Sequence, residues 1–142
     1  AVTLGVGEIS SDAQALIDTT RGALEAGIAA AKNGARLGDI SAAIQSYAES
    51  RNYSVVREYV GHGIGRDLHE EPQVPNFGIA GEGISLKKGM TIALEPMLNA
   101  GVWRTRVTGN KWTVVTADGK LSAHFEHTIA IGDSMPELLT MP

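Results

Sequence analysis

Residues 61–72 read Gly-His-Gly-Ile-Gly-Arg-Asp-Leu-His-Glu-Glu-Pro, and this segment is the most informative part of the chain. Glycines flank His62, and because a glycine has no Cβ, another group can approach the backbone or the imidazole closely. The spacing from His62 to His69 matches neither HExxH nor a zinc finger. The pattern favours a ligand role for His62, with a structural or solvated histidine as the alternative.

Two later segments each place a carboxylate beside an apolar run typical of a strand. Glu95 directly follows the apolar residues 92–94, and Glu126 lies within the run 124–131. A buried carboxylate is costly unless a cation or hydrogen-bond donors compensate it. We expect a metal or a buried arginine beside Glu126, while an exposed strand end is the alternative for Glu95. One imidazole and two carboxylates from three separate places form a typical set of metal ligands.

The composition excludes several classes of protein. The chain has 142 residues, enough for one compact domain, and its formal net charge of −4 argues against a nucleic-acid binder. No apolar run reaches the roughly 20 residues that span a bilayer, so we expect no membrane partner. The chain contains no cysteine, which excludes disulfides and thiolate ligands and fits a reducing compartment such as the cytoplasm.

The spacing of apolar residues predicts two helices in the first half of the chain. Ser10, Ser11 and Asp12 are N-cap candidates for a helix that runs to about Lys32, and Gly34 ends the segment. A second helix is predicted from about residue 37 to 51, joined to the first by a short link as in an αα-hairpin. We expect both apolar faces to pack on a sheet.

The second half predicts strands. Short strands are expected at 53–56 and 90–94, separated by a glycine-rich loop at 73–89. Residues 112–116, a turn at Asp118-Gly119, and residues 122–131 predict an antiparallel hairpin. The expected fold class is therefore α+β, with two helices packed on an antiparallel sheet.

These segments together resemble the type I methionine aminopeptidases, of the pita-bread metallopeptidase fold. The segment 61–72 is similar to a motif of the wider superfamily, which also includes aminopeptidase P, prolidase and creatinase relatives. Val-Val-Arg-Glu-Tyr at 55–59 and Trp112 followed by residues 118–128 are similar to the methionine-specific branch. The resemblance covers nearly the whole chain, to Leu139.

The resemblance implies a dinuclear metal centre built by two aspartates, one histidine and two glutamates. His62, Glu95 and Glu126 match the histidine and the two glutamates, with Glu126 in the bridging position. Two divalent ions per complete site are implied, and cobalt, manganese, iron and zinc all suit nitrogen and carboxylate ligands. His124 stands where glutamine is common in the family, and we expect it to contribute far less to metal binding than His62.

The resemblance also implies substrate-binding and catalytic residues. His69 matches a histidine that contacts the peptide group of the substrate, and Glu95 is expected to move a proton while it binds metal. Met97 and Trp112 match residues near the pocket for the methionine side chain. His127 is expected to point away from Glu126.

The two aspartates of the family precede the first helix, and the chain begins after that region. We therefore expect residues 1–142 to form a single domain that is the C-terminal half of a methionine aminopeptidase-like catalytic domain. A second chain or segment would supply the aspartates, and the substrate would be the N-terminus of a peptide or nascent protein, from which the initiator methionine is removed. The alternatives are a non-catalytic half-domain or pseudoenzyme that binds a partner, and an X-Pro peptidase.

Overall fold

The computed structural model describes residues 1–141. Two helices precede a series of short strands, which confirms the α+β class. The helices are α1 (Ser11–Ala30) and α2 (Leu37–Glu49). The strands are β1 (Ser54–Val55), β2 (Gly61–Gly63), β3 (Glu70–Val74), β4 (Thr91–Leu94), β5 (Met97–Asn99), β6 (Thr105–Val107), β7 (Val114–Thr116), β8 (Ser122–His124), β9 (His127–Ala130) and β10 (Glu137–Leu138).

The two helices form the predicted αα-hairpin. Ser10 caps α1, since its hydroxyl oxygen accepts a hydrogen bond from the backbone N–H of Ala13 at 3.2 Å. Gly34 in the link has a φ of +87°, the left-handed conformation that glycine adopts without strain. Both helices end about two residues before the predicted boundaries, which is the usual uncertainty at frayed helix ends.

All strand pairs are antiparallel, and the strands form three sheets. The five-stranded sheet has the order β10-β9-β4-β2-β3, the three-stranded sheet has the order β1-β5-β8, and β6 pairs with β7. The helices pack on the strands through one hydrophobic core. Its largest fully buried side chains include Leu16, Ile40, Ile44, Leu86, Ile92, Leu94, Leu98 and Ile129.

The predicted hairpin across Asp118-Gly119 is wrong, because its two strands lie in different sheets. β7 pairs with β6, and β8 pairs with β5. Asn110 Oδ1 accepts hydrogen bonds from the backbone N–H groups of Trp112 at 3.0 Å and Thr113 at 2.9 Å. This local turn lies in the loop 108–113, which joins β6 to β7. The stretch predicted as a loop from residue 73 also begins with the last two residues of β3.

The strand predicted at 122–131 is divided in two at Phe125 and Glu126. The backbone N–H of Phe125 donates to the carbonyl of Pro96 at 3.3 Å, and that of Glu126 donates to the carbonyl of Ala1 at 2.9 Å. β8 before the break belongs to the three-stranded sheet, and β9 after it belongs to the five-stranded sheet. Glu126 therefore lies where the chain passes from one sheet to the other.

The glycines beside His62 make room for neighbouring strands. A Cβ on Gly61 would lie 2.2 Å from the carbonyl oxygen of Ala93, and a Cβ on Gly63 would lie 2.2 Å from that of Glu71. The close approach is between β2 and the backbones that flank it, which differs from the expectation that the glycines admit a ligand. Sheet packing alone thus requires glycine at both positions.

Replacement of Gly61 by alanine should destabilise the chain by about 1–3 kcal/mol, the usual cost of forcing extra volume into packed structure. Gly109 is the matched control, since a Cβ there meets no atom within 4 Å. Gly109→Ala should change the free energy of unfolding by less than about 0.5 kcal/mol. Urea denaturation of both variants measures the difference, and equal stabilities would contradict the packing argument.

Candidate metal centre

The pairing of three strands brings the predicted ligands together. Ala93 of β4 lies opposite His62 of β2 on one side and opposite Thr128 of β9 on the other. Directly opposed residues in an antiparallel sheet share a face, and so do residues two positions apart. Glu95 is two residues beyond Ala93, and Glu126 is two residues before Thr128. All three predicted ligands therefore project from the same face of the sheet.

The donor atoms of these residues form one cluster. His62, Glu95 and Glu126 each offer a ligand atom within 4.8 Å of the other two. His62 Nε2 lies 3.6 Å from Glu95 Oε1, and these two side chains are only 12% and 17% exposed. The structure thus juxtaposes the three residues that the sequence singled out.

Hydrogen bonding fixes the orientation of the His62 ring. Nδ1 lies 2.8 Å from the carbonyl oxygen of Gly63, and because a carbonyl can only accept, Nδ1 carries the proton. In the neutral ring Nε2 therefore has a free lone pair, which faces the carboxylate of Glu95. Two acceptors that face each other need a cation between them or a proton on one of the two groups. Divalent metals fit this donor set of one nitrogen and two carboxylates.

The electrostatics of Glu95 also indicate a missing positive charge. Burial and, after it, the neighbouring carboxylate of Glu126 together raise the pKa of Glu95 to about 7, while His62 opposes the shift. Like charges held together in a partly buried site disfavour the ionised form. A cation among these side chains would relieve the repulsion.

The backbone of Ala1 lies beside the cluster. Its nitrogen lies 3.5 Å from Glu126 Oε2 and 3.4 Å from the backbone carbonyl of the same residue. The backbone N–H of Glu126 in turn donates to the carbonyl of Ala1 at 2.9 Å. The first residue of the chain is thus held beside the predicted bridging glutamate.

His69 shares a cavity with two of the clustered residues. The open cavity has a volume of about 520 Å³, and its lining includes His62, His69, Glu95 and Tyr59. The ring centroids of His62 and His69 are 4.3 Å apart, with the ring planes tilted by 55°. His69 is therefore close enough to contact a molecule bound at the cluster, as its predicted role requires.

The structure does not bring Trp112 to this cavity, and Met97 does not line it. Trp112 is 87% exposed in the turn between β6 and β7. Met97 is half-buried at the start of β5, two residues after Glu95. His127 points elsewhere, since its Nδ1 lies 2.9 Å from Thr140 Oγ1. The substrate-binding roles of Met97 and Trp112 remain predictions.

Two residues at the site were missed by the sequence reasoning. The buried side chain of Asn76 donates from Nδ2 to the backbone carbonyl of Glu95 at 3.2 Å, and so holds the end of β4. His124 Nε2 lies 3.7 Å from Glu95 Oε2. Side chains alternate between the two faces of β8, and Ala123 faces the core. His124, the next residue, must therefore face away from the core, and this signal could have identified it.

Comparison with protein families gives a match over nearly the whole chain. The protein-family model described as "Metallopeptidase family M24" matches residues 1–133. The chain belongs to metallopeptidase family M24. An M24 chain uses divalent metal ions, in agreement with the clustered donors.

Two curated relatives are about half identical to this M24 chain over the aligned residues. "Methionine aminopeptidase 1" of Bacillus subtilis (strain 168) is 52% identical over 140 residues, and this alignment covers 99% of the chain and 56% of the relative. "Methionine aminopeptidase" of Clostridium perfringens (strain 13 / Type A) is 53% identical over 141 residues, covering 99% of the chain and 57% of the relative. The chain thus spans little more than half the length of these relatives.

Solved structures agree with the fold. The methionine aminopeptidase of Thermotoga maritima superposes with a TM-score of 0.97 at 50% identity, over 99% of this M24 chain and 57% of that chain. A prolidase from Pyrococcus furiosus superposes with a TM-score of 0.72 at 20% identity, over 98% of this chain and 35% of that one, which shows the shared fold alone. The arrangement is that of the pita-bread metallopeptidases.

The raised pKa of Glu95 gives the metal-free chain a specific pH dependence. A carboxyl with a pKa of about 7 in the folded state and an ordinary pKa of 4.5 binds its proton more tightly in the folded state. The stabilisation that comes from this proton is therefore present at pH values below 4.5 and is lost as the pH rises to about 7.

We expect the free energy of unfolding to decrease between these pH values by less than about 1.4 kcal/mol per pH unit, because solvent reaches the carboxyl. Glu95→Gln should flatten this part of the profile. Urea denaturation in chelator from pH 4.5 to 8 measures both chains. Parallel profiles for the two would show that Glu95 does not titrate as described.

Proposed function

We propose that the complete protein is a metal-dependent methionine aminopeptidase that removes the initiator methionine from nascent proteins. The observation that carries the proposal is the cluster of His62, Glu95 and Glu126. The chain that holds this cluster belongs to family M24 and is about half identical, over the aligned residues, to proteins named methionine aminopeptidase. This chain would supply the histidine and the two glutamates of the active site. The proposed domain is the C-terminal half of the catalytic domain, over residues 1–142.

His62, Glu95 and Glu126 would hold the metal, with Glu126 bridging two ions. When bound, a divalent cation supplies a Lewis acid for a carbonyl group and lowers the pKa of water to near neutral. The free Nε2 of His62 supports this assignment, since its proton is committed to Nδ1. Cobalt, manganese, iron and zinc all suit the donors.

Glu95 would also carry the proton during hydrolysis. Its carboxylate lies at the cluster, 3.6 Å from His62 Nε2, which supports this role. His69 would donate a hydrogen bond to the peptide carbonyl of the substrate, where negative charge develops. Its position across the cavity from Glu95 supports this role.

Met97 and Trp112 would contribute to the pocket for the methionine side chain. Met97 is close to Glu95 along the chain, and methionine packs well against a thioether. The exposed Trp112 would become covered when the site is complete. The indole is large and apolar, so its present exposure favours a partner surface above it.

Further carboxylates would come from a second chain or a segment that lies beside residue 1. Two divalent cations bring four positive charges, while Glu95 and Glu126 offer two negative ones. Ala1 is hydrogen-bonded to the backbone of Glu126, so a segment beside residue 1 would lie close to the cluster. Its ligands would be the two aspartates that the resemblance implies.

The cytoplasm, where nascent chains emerge, would be the place of action. Among residues 1–141 no helix has the length and apolar character needed to cross a bilayer. The net charge of −4 gives no support to a nucleic-acid partner.

We expect the isolated chain to cleave a Met-Ala-Ser peptide far more slowly than about 1 s⁻¹ in excess Mn²⁺ or Co²⁺, because the site lacks negative charge. Addition of the segment that carries the two aspartates should restore turnover. In that complex Glu126→Gln should lose at least about 100-fold in kcat, while Glu137→Gln, exposed on β10, should not. Peptide hydrolysis by purified, monodisperse protein is the measurement.

An Ala-Pro-Ser peptide in the same assay tests the two alternatives. Faster cleavage of this peptide than of Met-Ala-Ser would favour the X-Pro peptidase. A complex that binds metal but cleaves neither peptide would favour the non-catalytic module. Turnover near 1 s⁻¹ by the isolated monomer would contradict the need for a second segment.

A further inference from the structure

His124 is held at the cluster by its backbone. It is the last residue of β8 and lies opposite Met97 of β5. On its other side, the hydroxyl of Thr3 donates to the carbonyl of His124 at 2.9 Å and accepts its backbone N–H at 2.9 Å. The backbone is therefore fixed on both edges, so the direction of the side chain is determined by the strand.

The imidazole of His124 points at the carboxylate that the mechanism uses. Its Nε2 lies 3.7 Å from Glu95 Oε2, while the other oxygen, Oε1, lies 3.6 Å from His62 Nε2. Two imidazoles thus flank the two oxygens of one carboxylate. The side chain of His124 is 36% exposed, so the ring has one edge in the open and one edge at Glu95.

The Nε2 atom of His124 is buried and has no hydrogen-bond partner among residues 1–141. Buried polar atoms are almost always paired, so an unpaired one at a candidate site requires an explanation. Glu95 Oε2 is an acceptor that lies 3.7 Å from it. A shift of less than an ångström would bring this pair within the 2.7–3.2 Å of an ordinary N–H···O bond.

We propose that His124 is a positioning residue of the metal centre, which donates from Nε2 to Glu95 Oε2 and so keeps Oε1 turned toward His62. This inference rests on the proposed metal site. Groups that hydrogen-bond to metal ligands orient them, and their loss typically lowers metal affinity by about 10–100-fold. The sequence prediction that His124 contributes far less to metal binding than His62 is compatible with this assignment and stays a prediction.

The test compares two replacements of His124 in the purified chain by calorimetric titration with Co²⁺ and by the visible absorption of the bound ion. His124→Leu removes the donor and should weaken Co²⁺ binding by about 10–100-fold and alter the absorption bands. His124→Gln retains an N–H donor and should restore both. His127→Leu is the matched control, since His127 contacts Thr140 and should leave both readouts unchanged.

The outcomes separate the role of His124 from the metal site itself. His62→Ala should abolish Co²⁺ binding, which would establish the metal site. If His124→Leu then binds Co²⁺ with the affinity and spectrum of the parent chain, the role of His124 is overturned. Equal losses for the leucine and glutamine variants would overturn the donor role. Undiminished binding by His62→Ala would overturn the metal centre and this inference with it. If His124→Leu does not fold, His124→Ala takes its place.

Discussion

The antiparallel pairing of β4 with both β2 and β9 is the constraint on which the rest of the structure depends. It aligns Ala93 with His62 and with Thr128, and so places histidine and glutamates on one face. A slip of one residue would turn a whole strand over and remove its ligand from the face. The close contact of Gly61 with the carbonyl of Ala93 prevents larger residues from entering and helps to fix this register.

The two carboxylates lie at the boundary between two sheets. Glu95 joins β4 to β5, and Glu126 joins β8 to β9, so the chain crosses between the five-stranded and three-stranded sheets beside each glutamate. Such crossings free a residue from the regular pairing of a strand, and its side chain can turn toward a common centre. Burial of Glu95 and, after it, repulsion between the two carboxylates are the electrostatic cost of this arrangement, and both raise the pKa of Glu95.

The sequence predicted the helices and the three clustered residues because their signals are local. Apolar spacing defines α1 and α2, and Gly61, Pro96 and Phe125 frame the ligands. The sequence prediction failed where pairing between distant strands decides which strands form a sheet. The turn at Asp118-Gly119 suggested a hairpin, but β5 competes successfully for β8.

The role of His124 was missed for the same reason. Its proximity to Glu95 depends on the β5–β8 register and on Thr3, far away in the sequence. The roles of Met97 and Trp112 were inferred from resemblance, and their surroundings here neither require nor oppose them.

The separation of the three ligand positions along the chain has a consequence for the lifetime of the protein. The unfolded chain cannot present His62, Glu95 and Glu126 together, so a cation held by them as proposed would bind the folded state preferentially and stabilise it by mass action. Proteases degrade the unfolded population, which shrinks as the site fills. A shortage of the metal would therefore reduce the abundance of the protein as well as its activity, and supply of the ion would regulate both.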